Sequence, residues 1–265
     1  MLKALVKSDI VARNKMNNKE RRDLAIIQQN VRGRDIENDG LWSMQDYIEM
    51  AKEIKYKCPD IVFLTEFYYK KMYAVTQKLF DEYEFIKPLG MSEADEKQSG
   101  LFATCVLAIK RNKVIKKKQI KLNNMLDFRY ICIELMIGKR KMKMLLMYIP
   151  QTFNANNKRI EQKKKMLDSA REYILKNCDN ILFVGGDMNS DIDKKTTTCI
   201  SNFNQIYEMM IDTDCEKKAT WKDKRLDYAL VSGIERDRVK TVPFETKSDH
   251  KGLITEFYEK SEKSI

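Results

Sequence analysis

The sequence predicts an α/β protein in which two β-sheets pack face to face and helices cover their outer faces. Three observations predict it. Short apolar runs of strand length recur along most of the chain. Two longer stretches, 44–57 and 157–176, repeat their apolar residues at helical spacing. The runs in the middle of the chain follow one another with no helical pattern between them, as strands of a meander do.

Taken in order, residues 24–29 form an apolar run that stops at Asn30. The stretch 44–57 places Tyr47, Ile48, Ala51 and Ile54 at helical intervals. Behind the Pro59-Asp60 turn, Ile61-Val62-Phe63-Leu64 reads as a buried strand that ends at Glu66. Residues 101–110, 128–137 and 141–149 are three more strands, with Gly138 supplying the turn between the last two. The helix at 157–176 carries basic residues on its polar side, and residues 180–184 follow as a buried strand. Strands at 225–232 and 252–259 complete the set. Residues 1–22 read as a basic lead-in and 259–265 as a tail. No internal repeat and no Pro/Gly/Ser-rich linker divides the 265 residues, so one domain is expected over 1–265.

Hydrophobic residues make up 43% of the chain, enough for a sizeable core, and the net charge is +11. That charge suits a polyanionic partner, nucleic acid or an anionic membrane surface, and it equally suits a lysine-rich background. No apolar run approaches the ~20 residues that span a bilayer, so no stable membrane insertion is expected. The amino terminus lacks the apolar core and cleavage site of a signal peptide. The six cysteines are widely spaced with no Cys-x-x-Cys pair, and one histidine does not complete a Cys/His zinc site. A reducing, cytoplasmic location is the expectation.

The chemistry is written at the strand ends. Asn30, Glu66, Tyr148, Asp187, Asn189, Asp227, Asp249 and His250 are polar residues placed where apolar patterns stop or are interrupted. Buried polar groups cost free energy unless paired, and a convergent cluster would pair them with one another and with a cation. Singly, each has an ordinary reading. A carboxylate after a strand is commonly a turn residue, Asp187 with Asn189 makes an Asx turn, Asp227 partners Arg225, and a lone histidine is structural.

Six segments in order change the weighing: Gln29-Asn30-Val31-Arg32-Gly33, Asp60 to Glu66, Tyr148-Ile149-Pro150, Gly186-Asp187-Met188-Asn189, Arg225-Leu226-Asp227-Tyr228 and Ser248-Asp249-His250. In this pattern the chain resembles the endonuclease/exonuclease/phosphatase (deoxyribonuclease I-like) superfamily. That family includes abasic-site and retrotransposon endonucleases, sphingomyelinases and inositol-polyphosphate phosphatases. The only histidine of the sequence falls inside the last segment.

The resemblance implies a four-layer α-β-β-α sandwich of two mixed sheets and hydrolysis of a phosphate ester by water with Mg²⁺, Mn²⁺ being a possible substitute. It implies that Glu66 is the principal metal ligand and Asp249 a second carboxylate at the metal. By the same resemblance Asp187 orients or deprotonates the attacking water, and Asn189 and Asn30 position the water and the scissile phosphate. His250 contacts the phosphate, and Asp227 orients its imidazole. Tyr148, where many phosphatases and sphingomyelinases carry a second histidine, favours the nuclease branch and a nucleic-acid partner, DNA before RNA.

Three residues depart from the pattern or extend it. Arg32 stands where the family has Asp or Asn near the metal, and an arginine there either repels a cation or binds a substrate phosphate. Gln151 stands where abasic-site enzymes carry Asn. Tyr68 follows Glu66 closely enough to stack on a base, and ordinary packing explains it as well. Only residues 222–224 separate Trp221 from Arg225, where abasic-site enzymes have a longer segment, so a less specialised nuclease is expected. Basic runs at 116–118, 139–141 and 163–165 are candidate backbone contacts or solvated faces. The rival functions are a phosphatase or lipid phosphodiesterase of the same superfamily and a non-catalytic nucleic-acid-binding module on this scaffold.

Overall fold

The structure, a computed structural model, describes residues 22–32, 43–98, 104–152, 156–194, 198–214 and 216–259. The expected lead-in, apart from Arg22, and all but the first residue of the expected tail lie outside these. Arg22 already belongs to the first strand.

Two six-stranded mixed sheets form the centre. The first contains β1 (Arg22–Asn30), β2 (Ile61–Thr65), β3 (Tyr83–Ile86), β4 (Cys105–Lys110), β11 (Val239–Phe244) and β12 (Gly252–Tyr258), in the order β11-β12-β1-β2-β4-β3. The second contains β5 (Val114–Gln119), β6 (Tyr130–Ile137), β7 (Arg140–Tyr148), β8 (Ile181–Asp187), β9 (Ile211–Asp212) and β10 (Asp227–Ser232), in the order β5-β6-β7-β8-β10-β9. The helices are α1 (Met44–Tyr56), α2 (Tyr69–Leu79), α3 (Glu93–Gln98), α4 (Asn157–Leu175) and α5 (Ile200–Glu208).

Each sheet has one parallel pair, and each follows from a helical crossover, since parallel neighbours cannot be joined by a tight turn. In the first, β1 and β2 are parallel with α1 between them. In the second, β7 and β8 are parallel with α4 between them. Ser43 starts α1 with a reciprocal capping box to Asp46, and Asn156 caps α4 through the Arg159 amide.

Side-chain alternation splits the apolar residues into three layers. Leu24 and Ile26 of β1, Ile61 and Phe63 of β2, Met144 and Leu146 of β7 and Phe183 of β8 fill the space between the sheets. Ile27, Val62 and Leu64 face the other way, onto Tyr47, Met50 and Ile54 of α1 and Met72 of α2. Leu182 and Val184 do the same on the second sheet, onto Met166, Leu167 and Ala170 of α4 and Phe203 and Ile206 of α5. The sandwich expected from the sequence is the one observed.

The structure adds elements that the pattern reading leaves out: α2, α3, β3, β5, α5, β9 and β11. β5 contains the Lys116–Lys118 run and exposes most of its side chains, so no apolar alternation marks it. It is an edge strand, where lysines discourage pairing with other chains. β11 is also an edge strand, and it tolerates Pro243, which has no amide hydrogen to give a ladder. None of the described helices is long and apolar enough to cross a membrane. The five described cysteines are free.

Candidate active site

The two parallel pairs end side by side. Asn30 is paired with Thr65 at the carboxyl ends of β1 and β2. Tyr148 is paired with Asp187 at the ends of β7 and β8, and Asp227 opens β10 opposite Asp187. Glu66 follows β2 directly, and His250 lies just before β12. One edge of the sandwich thus collects the polar ends of both sheets.

Two glycines allow the close approach there. Gly186 has φ +122°, and a Cβ on it would fall 2.0 Å from the carbonyl oxygen of Met147. A Cβ on Gly185 would fall 2.3 Å from Oε1 of Gln28. That Gln28 side chain crosses between the sheets and donates to the carbonyl of Tyr228 at 2.8 Å.

Asp227 and His250 form a buried pair, Oδ2 to Nδ1, at 2.8 Å. Burial alone disfavours the imidazolium, but the Asp227 charge and hydrogen bond outweigh it and push His250 up to about 10. The Asp227 carboxylate thus favours the charged form of His250. Its carbonyl accepts from the Gln29 side chain at 3.0 Å, and the Thr220 hydroxyl accepts the Asp227 amide at 3.0 Å, so both partners are fixed. Asp227 does not pair with Arg225. That arginine instead grips Asp212 with two hydrogen bonds of 2.6 and 2.7 Å, with Asp214 3.7 Å away.

Asp187 is fully buried, and ligand atoms of Asp187, Asp227 and His250 lie within 4.8 Å of one another. Burial first, and then the Asp227 charge, push the Asp187 carboxyl well above the usual carboxylate range. A carboxylate so raised is a stronger base than one in water. Its Oδ1 accepts the Asn189 amide at 2.9 Å, and its Oδ2 accepts the Asn30 side-chain amide at 3.2 Å.

The same Asn30 amide donates to Glu66 Oε1 at 3.1 Å, so one side chain bridges the two carboxylates. Tyr148 donates its hydroxyl to Glu66 Oε1 at 2.8 Å, while the Arg129 guanidinium lies 4.7 Å over the Tyr148 ring. Burial and the Glu66 and Asp187 charges raise Tyr148 well above an ordinary phenol, which keeps it a donor. Arg32, Glu66 and Asn189 all have left-handed backbone, φ 47°, 54° and 45°. Such conformations are costly for Arg32 and Glu66, though asparagine adopts them readily, and they cluster where a fold aims side chains at a site.

Asp249, expected as a second carboxylate at the metal, contacts two side chains of the chain. Its Oδ1 pairs with Arg32 Nε at 3.4 Å, and its Oδ2 accepts the Trp221 indole N–H at 2.8 Å. The Trp221 ring lies 6.2 Å from the His250 ring, with Lys222 and Lys224 over it. Gln151 is exposed beyond Pro150. Tyr68 is only 5% exposed and packs among Val31, Phe67 and Met72, so it presents no face for stacking.

Lys163 is the residue that sequence reasoning misplaces. Within the basic run 163–165 it is not a surface contact but fully buried, and its ammonium donates to the Asn189 carbonyl at 2.6 Å. Burial pushes it down to about 8. Its helical register with Met166, Leu167 and Ala170, the inward face of α4, is the signal that marks it. Lys163→Met leaves that carbonyl without its ammonium partner, at a cost of about 1–3 kcal/mol. The melting temperature is expected to fall by about 2–4 °C per kcal/mol; an unmoved transition would show that the contact holds nothing.

No protein-family model matches the chain, and no curated protein matches it. Solved structures do. The crystal structure of TDP2 from C. elegans shares 18% identity at a TM-score of 0.60, over 95% of this chain and 80% of that one. The endonuclease domain of TRAS1, a telomere-specific non-LTR retrotransposon, shares 14% at a TM-score of 0.64, over 88% and 97%. An AP endonuclease from Archaeoglobus fulgidus shares 17% at a TM-score of 0.62, over 88% and 99%. The chain has the fold of these proteins. Two of the kinds that its six motifs resemble, an abasic-site and a retrotransposon endonuclease, are thus among its structural neighbours.

Proposed function

We propose that the chain is a metal-dependent phosphodiesterase that cleaves nucleic acid, DNA before RNA, by attack of water with Mg²⁺ as its cofactor. One observation carries this reading: the Asp227–His250 pair, the raised Asp187 and the Asn30-bridged Glu66 converge at one edge of a sandwich shared with nucleases.

Glu66 fits a hard dication, which takes oxygen donors and keeps several waters. The hydrogen bonds it receives come from neutral donors and fall on Oε1, so among the described residues Oε2 has no partner. Its left-handed backbone sets the carboxylate at the strand end. Mn²⁺ suits the same donors. A dication held there supplies charge stabilisation to the scissile phosphate.

The side chains divide the remaining work. His250, charged and fixed through Nδ1, presents Nε2 to a non-bridging phosphate oxygen and offsets the charge that builds on it. Asp187 accepts a proton from the attacking water. Asn189, whose own side chain is tied to the Ile149 carbonyl at 3.0 Å, and Asn30 keep Asp187 in place. Tyr148 holds Glu66. The basic charge of the chain supports a polyanionic substrate.

The test is nicking of supercoiled plasmid by the purified protein with Mg²⁺ and with chelator. Nicking that needs the metal is the expected result. Absence of cleavage of plasmid, single-stranded DNA and RNA, in Mg²⁺ and in Mn²⁺, would overturn the reading and turn attention to small phosphate esters.

A further inference from the structure

We infer that Lys163 is a positioning residue of the hydrolytic site: from α4 its ammonium anchors the Asn189 carbonyl, and through Asn189 it holds the Asp187 carboxylate in the pose that meets the attacking water. The inference rests on the reading of Asp187 given above. Lys163 is the one buried lysine among the described residues, and its ammonium has one hydrogen-bond partner there, that carbonyl at 2.6 Å. Taking an ammonium out of water is costly, and a neutral donor would satisfy a carbonyl at lower cost. What a lysine adds is the reach of a four-carbon stem and a charge-assisted bond, stronger than a neutral one.

Asn189 is where that bond acts. The main chain up to it is held by the sheet: the Ile149 amide donates to the Asp187 carbonyl and the Met188 amide to the Leu226 carbonyl, both at 2.8 Å. The pairing of β8 with β10 stops at Asp187. Asn189 then turns left-handed, and three of its groups are tied to three different elements. Its amide donates to Asp187 Oδ1 at 2.9 Å, its side chain donates to the Ile149 carbonyl just after β7 at 3.0 Å, and its carbonyl accepts from Lys163 on α4.

Asparagine enters that backbone region without help, so the lysine is not there to relieve strain. It fixes which way the turn faces. The amide that meets Asp187 and the carbonyl that meets Lys163 flank one α-carbon, and only two soft dihedrals separate them. Clamping the carbonyl therefore leaves the amide little freedom to swing off the carboxylate. α4 is also the crossover that carries the chain from β7 to β8. A bond from its inward face to the turn after Asp187 makes the helix a strut behind the site. Misplacing a reacting group by about 1 Å costs on the order of 10²-fold in rate, so a support that touches no reacting atom is still felt there.

Hydrogen exchange by NMR and single-turnover cleavage, both on the purified full chain well below its melting transition, test this. In wild type the Lys163 ammonium protons are expected to exchange with water more slowly than those of surface lysines, and the Asn189 amide to be protected. Lys163→Met should speed Asn189 exchange and lower the cleavage rate, each by roughly tenfold to a hundredfold, while duplex binding in chelator stays within about twofold of wild type. Ile174→Ala, which removes a buried side chain at the far end of α4, should leave the Asn189 amide and the rate near wild type. A Lys163→Met rate within about twofold of wild type, a binding loss equal to the rate loss, or the same losses in Ile174→Ala would overturn the inference and leave the proposed function standing. If Lys163→Met does not fold, the wild-type ammonium decides: exchange as fast as that of a surface lysine overturns the inference, and slow exchange upholds it. Wild type that cleaves no nucleic acid would overturn the proposed function and the inference with it.

Discussion

His250→Gln and Asp187→Asn are expected to stop turnover while the protein stays folded. Glutamine at 250 keeps an amide donor for Asp227, so the buried carboxylate retains a partner, but no imidazolium reaches the phosphate. Losing one such preorganised donor lowers kcat by roughly 10²–10³-fold. Asparagine at 187 keeps the shape and an acceptor for the Asn189 amide while removing the base, a loss of roughly 10²–10⁴-fold. Groups that act as a unit are not additive, so the double variant should be little slower than the worse single one. Plasmid nicking under single-turnover conditions, beside thermal melts, reads all three. A rate within a few-fold of wild type in either single variant would remove that residue from the chemistry.

Arg225→Met is expected to have the largest effect on stability. The arginine is 2% exposed and makes both of its short hydrogen bonds to Asp212, which is itself buried and also accepts from Tyr207 at 2.7 Å. Removing one partner of a buried ion pair leaves an uncompensated charge and costs about 3–5 kcal/mol. At about 2–4 °C per kcal/mol, the transition falls by roughly 6–20 °C. Burial by itself raises the Asp212 carboxyl, but the Arg225 hydrogen bonds and charge hold it below its ordinary value. The folded pKa is thus depressed below the unfolded value of about 3.9. The stabilisation is fully present above that value and is lost as pH falls through the folded one. In wild type, melting temperature should therefore drop on acidification below about pH 4, and Arg225→Met should lose the part of that drop owed to this pair. A variant that melts like wild type at neutral pH would show that the pair is not what holds β9 to β10.

How much of this was legible without coordinates depended on whether a residue's neighbours lay on its own strand. Asn30, Glu66, Tyr148, Asp187 and Asp227 stand out because each interrupts an apolar period, and a period is a local property. The close approach of backbone at Gly185 and Gly186, before Asp187, shows only in the fold. The partners were not readable. Arg225 lies two residues from Asp227, a spacing that puts both on one face of an extended segment, yet it binds Asp212, a partner that no local period marks. Lys163 sits inside a run of three lysines that looks like a solvated face, and only its phase against Met166 and Leu167 separates it from Lys164 and Lys165. The Arg32–Asp249 contact joins residues more than two hundred positions apart, beyond the reach of any periodicity. β5 and β11 escaped because edge strands need not alternate.

The site draws on both sheets, and the sheets are not completed in chain order. Asn30 and Glu66 belong to the first strands of one sheet, while Tyr148, Asp187 and Asp227 come from the other. His250 arrives only with β12, which must slot between β11 and β1. As the polypeptide leaves the ribosome, the second sheet is complete while the first still lacks its β12 and the strand beyond it. The proposed phosphate contact of His250 therefore depends on a strand that follows, in sequence, every other strand of both sheets.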